Sequence, residues 1–419
     1  MTDDPIIDPS LLRGLTQSRF TRRDLFRYAG VAGGALGLSA FLAACGTKGV
    51  ATGSGGAGKP NANMGDAAWW GQQTLHKTLD FDNWPYYMDI GPNNSHPSLD
   101  EFTKKTGIKV NYTENIQDNP SYWNQHIFPQ LSHGQSQGHD IIVLTNNDYP
   151  LGYMLNFGWA IPLDHGSMPN FDKYASKLVT NPSYDPGNTY TMAWQSGYTL
   201  IAYNTKYIKD EITTVDVLWD PKYKGKIGMF GNASELGCLG LLAIGKDPAT
   251  STPADWTAAA AKLQEQKPLV RSYYDQDYIK ALKSEDTWIS MAWSGDIFQA
   301  GIQGYDTLKT AVPQEGVMFW TDNMLMPYTA SNPKDAMTYM DYVYDPKVQA
   351  VIEDYNNYVC PVPSSKGIIG TELHDPAVAN SPLVFPNAAM VAAAKPYYQW
   401  KNTQDLKTWN DTFQPIYLG

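Results

Sequence analysis

Two carboxylates stand close in sequence to large aromatic side chains. Asp322 follows Trp320 in GVMFWTDNML, and Asp296 follows Trp293 in MAWSGD. A buried carboxylate is destabilising unless a partner compensates its charge, and aromatic faces attract cations. These segments therefore indicate a pocket for a cation, unless the aspartates simply end strands or cap helices in solvent.

Aromatic and polar residues recur after the predicted strands. They occupy residues 83–87 (NWPYY), 145–149 (TNNDY), 293–296 (WSGD) and 320–322 (WTD). In open α/β sheets, ligands bind in the crevice beyond the carboxyl ends of the strands. Four such segments together predict one shared pocket.

The elements that must position these residues alternate between strands and helices. Strands are predicted at 74–81, 108–112, 140–144 and 289–293. Helices are predicted at 253–266, 333–344 and 346–355, and from a capping box at 98–101 to Gly107. This alternation predicts an α/β fold with mainly parallel sheets.

The composition excludes some functions. The chain has 419 residues, enough for two domains with sizeable cores, and a formal net charge of −11. Such an acidic chain lacks the basic footprint of a nucleic-acid-binding protein. Its histidines show no metal-ligand spacing such as HExxH, so neither a metal nor a cofactor is expected. Cys238 and Cys360 can either pair or stay free, because the sequence does not give their separation.

The N-terminal segment predicts export and membrane attachment. Two adjacent arginines precede an apolar run at residues 28–44, which is typical of a twin-arginine secretion signal. The run ends in Leu-Ala-Ala-Cys, which resembles a lipobox, and in such signals the cysteine, here Cys45, is lipidated. We therefore predict a signal peptide at 1–44 and a flexible tether at 45–74, unless the run is an uncleaved membrane anchor.

Five stretches of the chain resemble the spermidine/putrescine-binding proteins, the periplasmic or lipid-anchored receptors of polyamine ABC importers. They are LDFDNWPYY (79–87), EFTKKTGIKV (101–110), LWDPKYKGKI (218–227), MAWSGD (291–296) and QEGVMFWTD (314–322). The stretches occur in the order found in that family. The resemblance implies an α/β, two-lobed periplasmic-binding-protein-like fold of type II, with a ligand cleft between lobes joined by hinge crossings.

The same resemblance implies the lobes, the ligand contacts and the partners. Lobe 1 is expected at 75–195 plus 321–361, and lobe 2 at 196–320 plus 362–419. The implied ligand-binding residues are Trp84, Tyr87, Asn232, Glu235, Trp293, Asp296, Trp320, Asp322 and Tyr358. Thr145, Asn147 and Tyr149 compete for one further family position, and Gln399 is a looser match. The implied partners are a polyamine and the permease subunits of an ABC importer.

Two positions bear on which polyamine the chain prefers. Asn232 stands where a spermidine-preferring relative has an aspartate, which removes one negative charge. Asp296 matches a carboxylate of putrescine-preferring relatives. Together they favour putrescine slightly.

Two alternative functions stay open on the sequence alone. A receptor of the same fold for another solute, such as a sugar, also uses Trp and Asp side chains. An exported glycosidase uses two carboxylates among aromatic platforms. No nucleophile elbow or zinc motif is present, so we expect a binding protein rather than an enzyme.

Overall fold

The computed structural model describes residues 62–400 and 402–418. The predicted signal peptide and Cys45 lie outside the described residues. Within the segment predicted as a tether, Ala67–Gln72 form a helix. Its Trp70 is buried, and the indole N–H donates to the Pro162 carbonyl at 3.1 Å. The folded body therefore begins before residue 75.

Ten strands form one sheet in the described part of the chain. They are β1 (Thr78–Asp82), β2 (Lys109–Thr113), β3 (Ile141–Thr145), β4 (Met192–Asn204), β5 (Ile227–Phe230), β6 (Val270–Tyr274), β7 (Ile289–Trp293), β8 (Leu308–Ala311), β9 (Val317–Leu325) and β10 (Ala394–Lys395). The order is β2-β1-β3-β9-β4-β7-β5-β6, with β10 beside β9 and β8 beside β4.

The sheet is mixed, which corrects the prediction of mainly parallel sheets. Five strand pairs are parallel and four are antiparallel. All four antiparallel pairs involve β4 or β9, which also pair with each other. The strands predicted from the sequence include neither β4 nor β9, so the prediction lacked the two strands that make the antiparallel pairs.

Helices cover the sheet. They are α1 (Ala67–Gln72), α2 (Pro97–Thr106), α3 (Asn119–Tyr122), α4 (Phe128–Leu131), α5 (Tyr149–Asn156), α6 (Pro169–Tyr174), α7 (Ala233–Ala243), α8 (Pro253–Gln266), α9 (Tyr278–Lys283), α10 (Ser294–Ile302), α11 (Pro333–Tyr342), α12 (Pro346–Asn356), α13 (Ser365–Thr371), α14 (Pro376–Asn380), α15 (Ala388–Ala393) and α16 (Thr403–Leu418). Across the described ranges, no helix has both the length and the apolar character that a membrane span requires.

β4 and β9 join the two ends of the sheet. Residues 192–199 of β4 pair with β9, and residues 199–204 pair with β7 and β8. At its other end, β9 pairs with β3 through residues 322–325. A third segment passes the same place, where Ser196 forms a bridge with Val359. We call β4 and β9 together the shared strip. Strands β1–β3 lie on one side of the shared strip and β5–β7 on the other.

Several predicted elements agree with the structure in detail. The helix α8 and the strand β7 have the predicted bounds. Thr252 caps α8 through a capping box with Asp255, which explains why the sequence signal was clear. The helix α2 ends at Gly107 in the left-handed conformation, as predicted.

The predicted capping box at 98–101 is wrong. The helix α2 begins at Pro97, a residue well suited to the first helical turn because it has no N–H to satisfy. Ser98 is therefore already inside the helix. Its backbone N–H donates to the Asp89 carboxylate at 2.9 Å, and its hydroxyl donates to the same group.

Cys238 and Cys360 are both free and buried. Cys238 lies on α7, whereas Cys360 lies in the segment that follows α12. The disulfide that the sequence left open does not form.

Candidate functional site

Asp322 is buried between two neighbouring strands. It lies inside β9, opposite Thr145 of β3 and Gln195 of β4, and only 2% of its surface is exposed. One carboxylate oxygen accepts a hydrogen bond from the Tyr87 hydroxyl at 2.9 Å, and the other accepts one from the Thr145 hydroxyl. Burial raises the pKa of Asp322 to about 6, although both hydroxyls act in the opposite direction. Asp322 is therefore not a solvated strand end.

Aromatic rings stand beside this carboxylate. The rings of Tyr87 and Tyr358 lie 5.1 Å apart, Tyr358 and Trp320 lie 5.6 Å apart, and Trp84 lies 6.4 Å from Tyr87. The Trp320 indole lies against the backbone of Gly197, where a Cβ atom would stand 2.3 Å from the ring. A glycine is thus required at this point of β4. These four aromatic residues, all predicted from the sequence, form one wall.

Glu235 is the second buried carboxylate of the region. It lies in the first turn of α7 with 2% of its surface exposed. The Tyr397 hydroxyl lies 2.9 Å from both of its carboxylate oxygens. Burial raises the pKa of Glu235 to about 7, against the effect of hydrogen bonds from Tyr397, Asn147, Thr199 and Trp293. Neutral donors therefore surround this carboxylate as well.

Asn232 serves as the N-cap of α7. Its side-chain oxygen accepts from the backbone N–H groups of Ser234 at 2.8 Å and Glu235 at 3.1 Å. This cap fixes the first helical turn and so orients Glu235. The structure gives Asn232 a positioning role.

The loop after β3 contacts the region around Glu235. The Asn147 amide donates to Glu235 at 3.3 Å, and the Ser234 hydroxyl donates to the Asn147 carbonyl at 2.6 Å. The Gln399 amide donates to the Asn146 carbonyl at 3.0 Å. Segments from the two sides of the shared strip therefore meet here.

The three residues that competed for one family position have different surroundings. Thr145 donates a hydrogen bond to Asp322, and Asn147 donates one to Glu235. The Tyr149 hydroxyl instead accepts from the Asn124 amide at 3.3 Å. Thr145 and Asn147 each belong to one end of the site, and Tyr149 lies beside it.

Trp293 and Asp296 lie on the Glu235 side. The Trp293 ring packs 4.8 Å from Phe230, and its side chain acts on Glu235 as a hydrogen-bond donor. The Asp296 carboxylate accepts from the Tyr278 hydroxyl, which itself accepts from the Trp293 backbone N–H at 3.1 Å. Two hydrogen bonds through the Tyr278 hydroxyl therefore connect Asp296 to the backbone of Trp293.

β4 runs between the two buried carboxylates. Gln195 lies opposite Asp322, and the Thr199 hydroxyl lies 3.2 Å from the Tyr397 hydroxyl that bonds Glu235. A strand rises about 3.4 Å per residue, so the backbone positions of Gln195 and Thr199 are about 14 Å apart. Trp320 lies against Gly197, between these two positions, so the carboxylates lie at the two ends of an elongated site with an aromatic face between them.

Three residues of the site were missed from the sequence. The hydroxyls of Tyr397 and Thr199 form a hydrogen bond with each other beside Glu235. The third residue is Asp148, whose pKa is raised mainly by burial and further by the nearby charge of Glu235. Tyr397 stands two residues before Gln399 in an aromatic segment, which was an available signal. Thr199 gives no signal, because one threonine in a strand is unremarkable.

The two carboxylate acceptors and the aromatic faces suit a cation with several N–H groups. In the described ranges, no group of three or more His, Cys, Asp or Glu side chains is arranged to hold a metal ion. The carboxylates supply charge, and the aromatic faces suit methylene groups and cations.

Residues 98–386 match the family model described as bacterial extracellular solute-binding protein. The chain belongs to this family. The solute-binding protein is 26% identical over 326 residues to the spermidine/putrescine-binding periplasmic protein of Salmonella typhimurium, covering 78% of this chain and 86% of that one. It is 27% identical to the putrescine-binding periplasmic protein PotF of Escherichia coli, covering 74% and 84% of the two chains.

Solved structures show the same fold. The crystal structure of the spermidine/putrescine ABC transporter substrate-binding protein PotD from Streptococcus pneumoniae matches with a TM-score of 0.69 at 23% identity, covering 81% of this chain and 98% of that chain. The TpPotD lipoprotein of Treponema pallidum matches with a TM-score of 0.66 at 17% identity, covering 82% and 100%. The predicted two-lobed periplasmic-binding-protein-like fold is confirmed. Because the family consists of binding proteins, the expectation that the chain is not an enzyme is confirmed too.

Proposed function

We propose that this solute-binding protein is the polyamine receptor of an ABC importer. One observation carries the proposal: two buried carboxylates, Asp322 and Glu235, are bonded by neutral hydroxyl and amide groups at the two ends of an aromatic wall. A buried carboxylate gains most from a cationic partner. A polyamine supplies one ammonium for each carboxylate and methylenes for the aromatic faces.

Two residues bear on which of putrescine and spermidine binds. Asn232 and Asp296 favour putrescine in the sequence. A titration with both amines decides between them.

The lobes are proposed with the boundaries expected from the sequence, 75–195 plus 321–361 for lobe 1 and 196–320 plus 362–419 for lobe 2. The helix α1 is added to lobe 1, because its Trp70 donates to Pro162. Hinge bending at the three crossings then opens and closes the cleft. The contacts of Asn147 with Glu235 and Ser234 support this proposal, because they join the two sets of residues. Ligand binding to the closed form stabilises the protein in proportion to its affinity.

The membrane attachment rests on the lipobox-like sequence before Cys45. We expect Cys45→Ala to release the receptor from the membrane fraction or to block its processing, whereas Cys238→Ala changes neither. Metabolic labelling with a fatty acid, followed by fractionation, measures both. Unchanged membrane retention of the Cys45→Ala variant indicates an uncleaved N-terminal anchor instead.

The proposed ligand class is tested by what the protein carries and what stabilises it. Mass spectrometry of small molecules released from the purified protein is expected to detect a polyamine. A thermal-shift panel of spermidine, putrescine, maltose and glutamate is expected to raise the melting temperature with the amines alone. If maltose is the solute that stabilises the protein, the receptor binds sugars and the polyamine proposal is wrong.

A further inference from the structure

Gln195 is a buried side chain whose hydrogen-bonding groups are not satisfied by the protein. The residue lies on β4 with none of its surface exposed. Neither its amide nitrogen nor its amide oxygen has a hydrogen-bond partner. A buried amide in this condition is destabilising, and most buried polar groups in folded proteins do have partners.

The strand register places Gln195 on the face of the candidate site. Directly paired residues of antiparallel strands share a face, and successive residues alternate. Ser196 pairs with Thr321, and their hydroxyls lie 3.3 Å apart on one face. Gly197 pairs with Trp320, whose indole covers it on the other face. Gln195 therefore lies on the same face as Trp320.

A β-bulge contributes to this placement. The pairing of β4 with β9 shifts between Ala193 and Gln195, so that Gln195 stands opposite Asp322. Bulges insert an extra residue and commonly redirect a side chain beside a functional site. The bulge thus sets the register in which an amide faces a buried carboxylate.

The other buried glutamines of the described residues are different. Gln266 is also fully buried, but its amide donates to the Leu218 carbonyl at 3.0 Å. Gln349 donates to Glu353 at 3.4 Å. The amide nitrogen of each of these two glutamines donates a hydrogen bond within the protein, whereas neither amide atom of Gln195 forms one.

The hydrogen-bond capacity at Asp322 shows what an amide can add. An ionised carboxylate has about four acceptor positions, and the Tyr87 and Thr145 hydroxyls use two of them. A primary ammonium has three N–H donors, like that of lysine. Two of these donors find acceptor positions on Asp322, and the third needs another acceptor on the same face. The side-chain oxygen of Gln195 is in register to supply it.

We propose that Gln195 is a ligand-contacting residue, whose amide oxygen accepts a hydrogen bond from the ligand nitrogen that pairs with Asp322. The inference rests on the proposed polyamine function, since it requires a ligand with N–H donors. Gln195 adds no charge, so its contribution is to orient the nitrogen and to favour ligands that bring a donor to this point. A ligand without such a donor leaves the amide unpaired and binds less tightly.

Two substitutions separate the effect of the polar amide atoms of Gln195 from the effect of the size of its side chain. Gln195→Met keeps an unbranched side chain of similar length but removes the polar atoms, and Gln195→Glu keeps an acceptor oxygen. Gln266→Met is the matched control, because it changes a fully buried glutamine on α8, outside the site. Calorimetric titration with spermidine and putrescine measures affinity, and thermal unfolding without ligand measures stability.

Gln195→Met is expected to weaken binding at least fivefold while the melting temperature of the ligand-free protein stays equal or rises, since an unsatisfied amide is removed. Gln195→Glu is expected to bind at least as tightly as wild type at about pH 8. Gln266→Met is expected to lower the melting temperature and leave the affinity within twofold. Should Gln195→Met fail to fold, weak binding by Gln195→Glu still contradicts the acceptor role.

The outcomes distinguish the two levels of the proposal. If wild type binds neither amine, the polyamine function fails, and this inference fails with it. If wild type binds and Gln195→Met binds equally well, the polyamine function stands and Gln195 is a structural residue alone.

Discussion

Asp322 and Glu235 are both buried carboxylates bonded by neutral groups, yet their donors come from different parts of the molecule. Asp322 receives its hydrogen bonds from Tyr87 and Thr145, which follow or end strands on its own side of the shared strip. Glu235 receives one from Asn147, across that strip, and one from the Tyr397 hydroxyl, which lies 2.9 Å from both carboxylate oxygens.

We infer that the two ends of the site differ in when they form. The hydrogen bonds of Asp322 come from one side of the sheet, whereas those of Glu235 include one from the loop after β3, on the other side. If the lobes close by the proposed hinge bending, a ligand engages Asp322 first and Glu235 on closure. Substitutions at the two ends should therefore differ in kinetics as well as in affinity.

The largest effect is expected from neutralising either carboxylate. Asp322→Asn and Glu235→Gln should each weaken polyamine binding at least tenfold, because removing one partner of a desolvated charge pair typically costs about 2–5 kcal/mol. Asp322→Asn should also slow association, and Glu235→Gln should mainly accelerate dissociation. Calorimetry and stopped-flow fluorescence measure these quantities.

The control for this prediction is Asp341→Asn. Asp341 is also buried with a raised pKa, and it accepts from the backbone N–H groups of Asn170 and Phe171 on α6. Its substitution should leave the affinity within twofold. Equal kinetic effects of the two site substitutions contradict the proposed order of engagement.

The affinity should rise with pH. Burial raises the pKa of Asp322 to about 6 and that of Glu235 to about 7, and a cation binds the ionised carboxylates. Affinity is therefore lost as pH falls through these values, by about tenfold per unit for each carboxyl below its pKa. In the Glu235→Gln variant the remaining pH dependence of the affinity should centre near pH 6, and in the Asp322→Asn variant near pH 7. Identical pH profiles in the two variants contradict the assignment.

The same carboxylates should destabilise the ligand-free protein at high pH. Their pKa values are higher in the folded chain than in the unfolded chain, so their stabilising contribution is present below about pH 4 and is lost as pH rises through 6 to 7. Relative to wild type, Asp322→Asn should gain on the order of 1–3 kcal/mol in free energy of unfolding between pH 4 and pH 8. Denaturant unfolding measures it, and a difference that is flat with pH contradicts the prediction.

Removing a single hydroxyl should have the smallest effect. Tyr397→Phe removes a donor to Glu235, and Tyr87→Phe removes one to Asp322. Each should weaken binding about fivefold, since one hydrogen bond contributes about 1 kcal/mol. Tyr328→Phe is the control, because the Tyr328 hydroxyl donates to the Leu131 carbonyl elsewhere. If the control weakens binding as much, the effect is one of stability.

The sequence predicted several elements close to their observed bounds, because local signals were strong there: a capping box begins α8, and Gly107 ends α2. The resemblance named the four residues of the aromatic wall, and their contact with a ligand stays a prediction. Trp84 and Tyr87 follow β1, Tyr358 follows α12, and Trp320 lies within β9, and the fold brings these four rings together. The resemblance to a known family supplied the long-range order that local patterns lack.

What the sequence could not give depends on pairing between distant segments. Tyr397 reaches Glu235 over 162 residues, and no local pattern encodes that contact. Gln195 was identified as a candidate only from the structure, which pairs it with Asp322 and leaves its amide without hydrogen-bond partners. The antiparallel pairing of β4 and β9 was missed for the same reason, since strand direction is decided by the path of the whole chain.

The most direct test of the central claim is a calorimetric titration of the mature wild-type protein with spermidine, putrescine and maltose, repeated in two buffers of different ionisation enthalpy at about pH 6.5. Binding of an amine to carboxylates whose pKa values are about 6 and about 7 should release protons, so the measured enthalpy should differ between the buffers. We expect one-to-one amine binding with net proton release and no binding of maltose. Maltose binding without amine binding, or amine binding with no protons released, contradicts a cleft built around Asp322 and Glu235.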